Sequence, residues 1–280
     1  KKAGELLGNP PSKTMLQGRD SLIESLKNKN KLILTGLPGI GKTSLLRSIS
    51  DILVKEGKTV RFATMESFKD INEIFAEWGL EYSSESAALQ STKNEVLILD
   101  ELQEVSLRHI GRLESFAQKS ENLIMASRGP IPISDGFEIA DIPPLDVEDA
   151  ICLLPPHLED KELIAERLGG HPLALQLHDE KSELPEAGSD LQEWVKEVVL
   201  GDLGDEIKAL DELSLLPVPV PTDHLQHEEY LLELDDHALL RWMESGVELH
   251  HLVRNVRSTM LSEKDHALAA KYWSQRQGDL

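Results

Sequence analysis

Residues 36–43 read GLPGIGKT, between a short apolar run, Lys31-Leu32-Ile33-Leu34-Thr35, and a stretch from Ser44 to Val54 with apolar residues at helical spacing. The pattern Gly36-x-x-x-x-Gly41-Lys42-Thr43 has a physical meaning in that setting. Glycines let successive backbone N–H groups turn inward around an anion, and the start of the next helix adds its partial positive charge. A lysine there reaches the outer oxygens of a polyphosphate, and a threonine hydroxyl ligates Mg2+. The stretch predicts a phosphate-binding loop that sets Pro38, Gly39, Ile40, Gly41, Lys42, Thr43 and Ser44 against a nucleotide. The competing reading is a chance glycine turn between a strand and a helix.

Short β-prone runs recur along the next hundred residues: Val60 to Ala63, Val96 to Leu99, Leu123 to Ala126 and, more weakly, Phe137 to Ile142. Helical patterns separate them, at Thr43 to Lys55, Ile71 to Trp78 and Ile110 to Ser120. That alternation predicts an α/β fold, a parallel five-stranded sheet with helices on both faces. Pro143-Pro144 ends it, since neither residue can donate to a ladder or continue a helix. From Asp146 the pattern is helical: Val147 to Leu154, Lys161 to Leu168, Pro172 to His178 and Leu191 to Leu200. Two or three short helices follow, then SGVELHHLVRNV, in which Gly246 is expected to end a helix and Val247 to His250 to form a short strand. Helices closed by a small hairpin describe a winged helix. The expected division is a nucleotide-binding domain at 1–143, a helical lid at 144–200, a winged helix at 201–262 and the start of a truncated helical region at 263–280.

A nucleotide-hydrolysing loop of this kind needs an acid at the end of a second buried strand to hold the Mg2+ shell, and VLILDE supplies Asp100. Metal ligation is thus assigned to Thr43 and Asp100. Glu101 beside it is suited to orient and deprotonate a water; the alternative is a solvated acid at a strand end. The run NLIMASR ends in Ser127-Arg128. If that strand lies between the loop strand and the acid-bearing strand, Arg128 points at the γ-phosphate, at the carboxyl edge where open α/β sheets bind ligands. The alternative is an arginine paired with a surface acid.

The bulk numbers narrow the partners. At 280 residues and a formal net charge of -21, with 29 Lys and Arg against 50 Asp and Glu, the surface repels nucleic acid. From 201 to 261 there are four basic residues and thirteen acids, a balance of -9 and a poor footprint for a phosphate backbone. A single cysteine, Cys152, excludes an internal disulfide and a thiolate metal set, and is expected to be a small buried apolar residue. No signal segment opens the chain and no apolar run reaches bilayer length, so a cytoplasmic location off the membrane is expected. A first residue Lys1 and a last residue inside a helical pattern are what a fragment of a longer protein would show.

With these pieces placed, the chain resembles the signal-transducing ATPases with numerous domains, the STAND class of the AAA+ lineage, whose nucleotide module is called NB-ARC. Four stretches carry the likeness, in the family's order and spacing. MLQGRDSLIESL, Met15 to Leu26, looks like the opening in which Gly18-Arg19 lines the adenine pocket. GLPGIGKTSLL is the class's form of phosphate loop. GGHPLAL, Gly169 to Leu175, is similar to the lid motif whose proline, here Pro172, abuts the nucleotide. LHHLVR, Leu249 to Arg254, looks like the winged-helix motif in which a histidine, here His250, reaches the β-phosphate of ADP. The motif's following acid is replaced by His251, so an orienting carboxylate is missing. The terminal DHALAAKYWSQRQGDL is similar to the opening of tetratricopeptide-like repeats.

The resemblance implies a slow ATPase using ATP/ADP and Mg2+, with Lys42, Asp100, Glu101 and Arg128 at the chemistry. It further implies an ADP-bound closed form, ATP-driven opening or self-association, and a protein or small-molecule trigger sensed by C-terminal repeats. Two other readings share the same pocket: an AAA+ initiator or loader whose winged helix reads DNA, which the local charge disfavours, and a nucleotide-stabilised scaffold that barely hydrolyses.

Overall fold

The computed structural model describes residues 4–13, 16–66, 69–80, 84–129, 131, 133–178, 183–186, 190–201, 203–216, 219–243 and 246–274. The chain divides into two compact units, Lys1–Pro144 and Leu145–Leu280.

In the first unit, the strands are β1 (Leu6–Gly8), β2 (Lys31–Thr35), β3 (Val60–Thr64), β4 (Val96–Asp100), β5 (Leu123–Ala126) and β6 (Glu138–Asp141). They form one parallel sheet in the order β1-β3-β4-β5-β2-β6. Its helices are α1 (Asp20–Leu26), α2 (Lys42–Lys55), α3 (Ile71–Glu77), α4 (Glu85–Ser91) and α5 (Ile110–Lys119). Leu32 and Leu34 join Ile23, Leu26, Leu45, Leu46 and Ile49 in one buried cluster, whereas Ile33 joins Ile71, Ile74, Phe75, Ala88, Leu113 and Phe116 in another. The alternation of side chains along β2 thus places α1 and α2 on one face and α3, α4 and α5 on the other. Both faces being covered, Leu32, Ile33 and Leu34 are all buried, the continuous apolar reading of a central parallel strand.

The five expected strands are all present, and the count of five is corrected to six by β1. Three residues, the last a glycine, are too short to carry a period of two. What fixes them is fit: Gly8 has φ +89°, and a Cβ there would lie 2.0 Å from the carbonyl oxygen of Phe62, its register partner on β3. Glycine alone tolerates both the left-handed backbone and that approach.

The second unit contains α6 (Val147–Ile151), α7 (Lys161–Arg167), α8 (Pro172–Leu177), α9 (Leu191–Trp194), α10 (Ile207–Ser214), α11 (Leu231–Asp236), α12 (His251–Met260) and α13 (Glu263–Ser274). An antiparallel hairpin pairs β7 (Leu240–Met243) with β8 (Gly246–Leu249). One buried apolar cluster, from Leu145 through Trp194, Leu213 and Leu249 to Val256, underlies α6 to α12 and the hairpin. Gly246 opens β8 instead of ending a helix, because its backbone lies against Val220, where a Cβ would meet the carbonyl oxygen at 2.2 Å. The helix expected over Leu191 to Leu200 is α only to Trp194 and then widens into a π turn, with Leu200 N–H bonding Val195 O at 2.9 Å. Cys152, expected inside, is exposed at the end of α6. Residues 275–280, the end of the expected helical region, lie outside the described residues. Among the described residues, no helix is long and apolar enough to cross a membrane.

Gly8→Ala is expected to cost about 1–3 kcal/mol by forcing strain at the β1 to β3 contact, measured as a lower urea midpoint for the first unit's transition. An unchanged midpoint would show that β1 contributes nothing to the sheet.

Candidate functional site

Three adjacent strands, β4, β5 and β2, bring their carboxyl ends to one edge of the sheet. β2 runs into the glycine loop, β5 into Ser127-Arg128, and β4 ends on Asp100 with Glu101 next. The condition placed on Arg128 is met, since β5 pairs with β2 on one side and β4 on the other.

The loop turns into α2 at Gly41, whose φ of +98° is open to glycine and strained for other residues. Lys42, the first residue of α2, is only 7% exposed, and its Nζ donates to the carbonyl oxygens of Gly36 at 2.8 Å and Leu37 at 2.9 Å. Burial lowers its pKa to about 8; the charges of Glu101 and Asp100 oppose that shift, and Arg128 adds to it. Thr43, one residue on, donates its hydroxyl to Asp100 Oδ2 at 2.6 Å. Asp100 Oδ1 accepts the N–H of Glu101 at 2.8 Å. Thr43 and Asp100 are hard oxygen donors meeting at one point, which suits Mg2+, an ion that fills most of its shell with waters and phosphate oxygens. Among the described residues no group of three His, Cys, Asp or Glu could hold a metal by itself.

Arg128 is turned onto carboxylates. Its Nε donates to Glu101 Oε2 at 2.8 Å and its Nη2 to Glu104 Oε1 at 2.7 Å, with the side chain 10% exposed. At that depth an uncompensated guanidinium would be costly, and these two acids neutralise it. Glu104 and Gln103, in a single 3-10 turn Leu102–Glu104, were not singled out from sequence. The only signal was the polar run after Asp100, which a solvated strand end would show equally.

The remaining expected residues are placed as follows. Gly18 precedes Arg19, which is buried and donates through Nη2 to the carbonyl oxygen of Pro143 at 2.7 Å, tying the start of α1 to the chain leaving β6. Met15, quoted with that stretch, lies outside the described residues. Pro38, Gly39 and Ile40 form the turn of the loop, with Ile40 N–H bonding Leu37 O at 3.2 Å and the Ile40 side chain buried; Ser44 follows in the first turn of α2. Pro172 and His250 belong to the second unit. Pro172 opens α8, whose N-terminus is capped by His171, Nδ1 accepting from Ala174 N–H at 3.3 Å. His250 precedes α12 and lines a cavity of about 440 Å3 with Pro155, Gln176, His178 and Asp235. Its pKa is lowered to about 3, by burial first and then by the charges of Arg241 and His251. At neutral pH it therefore offers a neutral imidazole.

Residues 31–140 match the sequence model of the AAA domain (dynein-related subfamily). The chain's fold is similar to that of a signal transduction ATPase with numerous domains (STAND) carrying a tetratricopeptide repeat sensor, from Pyrococcus horikoshii. The TM-score is 0.70 at 17% identity, over 98% of this chain and 47% of that one. This chain thus spans about half the length of that relative. Domain III of the replication initiation protein DnaA from Thermotoga maritima matches with a TM-score of 0.40 at 18% identity, over 56% of this chain and 77% of that one. Pif1 helicase from Candida albicans matches with 0.34 at 14%, over 53% and 46%. No curated protein matches the sequence. The loop, the acid pair and the strands that carry them fall within the region that matches the AAA domain model. That region stands in a chain folded like a STAND ATPase.

Proton binding at His250 makes stability depend on pH. The unfolded chain takes a proton near pH 6.5 and the folded one only near 3, so stability is full above 6.5 and falls as pH drops between them, by up to about 1.4 kcal/mol per pH unit. Urea unfolding at pH 7 and pH 5 should show a smaller loss for His250→Gln than for the wild type; equal losses would mean that His250 is solvated.

Proposed function

We propose that the chain is the nucleotide-binding part of a STAND-type molecular switch, an ATPase that is closed with ADP and opens or self-associates with ATP. The observation that carries this reading is the convergence of Lys42, Thr43 with Asp100, and Glu101 with Arg128 on one edge formed by three neighbouring strands.

Phosphoryl transfer asks little covalent chemistry of a protein. It asks for positioning and for charge that opposes the growing charge on the phosphoryl oxygens. Lys42, in its protonated form, meets the β- and γ-phosphates, while Thr43 and Asp100 would hold Mg2+, which supplies neutralising charge when bound. Glu101 orients the attacking water and accepts its proton as the bond from the γ-phosphorus to the bridging oxygen breaks. Arg128 exchanges a carboxylate for the γ-phosphate, so that it distinguishes ATP from ADP by a contact that only one of them can make.

The second unit supplies the switch in this reading. We assign 144–200 as the lid, with Pro172 against the nucleotide, and 201–262 as a winged helix carrying His250. A neutral imidazole holds the β-phosphate of ADP by an N–H donor, a weaker and more easily exchanged contact than an ion pair. Gly18-Arg19 frames the adenine from the first unit. In this reading the trigger is a protein or small molecule sensed by tetratricopeptide-like repeats, as the similar STAND structure carries. The net charge of -21 disfavours nucleic acid as the partner.

Glu101→Gln tests the reading, because it keeps the shape and removes the base. ATP binding should stay within about threefold while phosphate release slows about a hundredfold or more, followed by fluorescent-nucleotide titration and a steady-state phosphate assay. A wild-type rate would remove Glu101 from the chemistry.

A further inference from the structure

Gln103 occupies a position that the proposed reaction does not yet use. Its side-chain Nε2 donates to Glu101 Oε2, and its Oε1 accepts the backbone N–H of Arg128 at 2.8 Å. The same Glu101 oxygen accepts from Arg128 Nε at 2.8 Å. These contacts close a ring, from the Glu101 carboxylate through the Gln103 amide to the Arg128 backbone and back through the guanidinium, across the ends of β4 and β5.

The chemistry of the ring allows one orientation of the amide. A backbone N–H can only donate, so the Gln103 oxygen must face Arg128, which turns the NH2 group toward the carboxylate. A primary amide on a two-carbon stem provides both roles at that span. Asparagine has one carbon fewer, glutamate would present oxygen to oxygen, and alanine would leave both partners.

Glu101 needs such support. Its backbone is left-handed, φ 56° and ψ 40°, a conformation that costs a residue other than glycine about 1 kcal/mol or more. Its N–H is anchored on Asp100, which fixes the main chain and leaves the side chain to be aimed.

We propose that Gln103 is a positioning residue that aims the Glu101 carboxylate and ties it to the Arg128 backbone, so that the water-orienting group keeps its place when the Arg128 guanidinium turns to the γ-phosphate. The inference rests on the assignment of Glu101 given above. Because Gln103 acts through Glu101, its loss slows the chemical step and spares the affinity for nucleotide. When the γ-phosphate draws Arg128 away from Glu101, the amide remains on the carboxylate and holds its aim.

The test measures kcat and KM for ATP hydrolysis and the Kd of fluorescent ADP in the wild type, Gln103→Ala, Gln103→Glu, Glu101→Gln and the Glu101→Gln/Gln103→Ala double variant, with thermal melts beside them. Gln103→Ala and Gln103→Glu should each lower kcat about tenfold or more with KM and Kd within about twofold, and the double variant should match Glu101→Gln alone. Gln103→Glu is the sharper variant. It keeps the volume and the acceptor for Arg128, so a merely structural residue would leave it active, and it stands in if the alanine variant fails to fold. A wild-type kcat in Gln103→Glu, or a double variant slowed by the product of the single effects, overturns the inference while Glu101 keeps its role. A wild-type rate in Glu101→Gln overturns that role and the inference with it.

Discussion

A lysine that has lost most of its water organises this site. Lys42 is held inside its own loop by two carbonyl oxygens, which satisfy two of its three protons without cancelling its charge. That leaves an ammonium group with a pKa near 8, stabilised by Glu101 and Asp100 from across the sheet edge. In the proposed function a polyphosphate brings the negative charge that such a group lacks. Positive φ at Gly36, Gly39 and Gly41 lets the loop turn and bring the Gly36 and Leu37 carbonyl oxygens onto the ammonium group.

The acids around it balance the remaining charge. Asp100 is shared between the Thr43 hydroxyl and the Glu101 N–H, and Glu101 and Glu104 share Arg128. Together these contacts couple three strand ends, because β5 lies between β2 and β4. A change in what Arg128 contacts therefore reaches Glu101 directly and Gln103 through the ring. In the proposed function the site has a second arrangement, with a phosphate in place of the carboxylates on the arginine, which is what a nucleotide-sensitive switch requires.

Much of the site was legible in the sequence, because its parts are local. The glycine spacing, the apolar run before Asp100 and the arginine after LIMA each announce themselves within ten residues. The helical faces were legible for the same reason, since periodicity is a local property. What was not legible depends on contacts between distant residues. β1 is three residues recruited by Val60 to Phe62, and nothing in Leu6-Leu7-Gly8 alone says so. The Arg128 to Glu101 pair spans 27 positions, and Gln103 gains its place only when β4 and β5 lie side by side. The low pKa of His250 likewise comes from burial and from Arg241 on the facing strand of the hairpin, and Cys152 was misjudged because the exposed end of α6 is decided by packing and not by the residue.

The most direct measurement is calorimetric titration of the wild-type chain with Mg-ATP at pH 8.5 in two buffers of different ionisation enthalpy. Near that pH most of Lys42 is neutral, and a bound triphosphate should recharge it. Binding should therefore take up roughly three-quarters of a proton, an uptake absent at pH 7 and lost with binding in Lys42→Ala. Binding with no proton uptake at pH 8.5, or unchanged binding by Lys42→Ala, would contradict the buried lysine as the centre of the site.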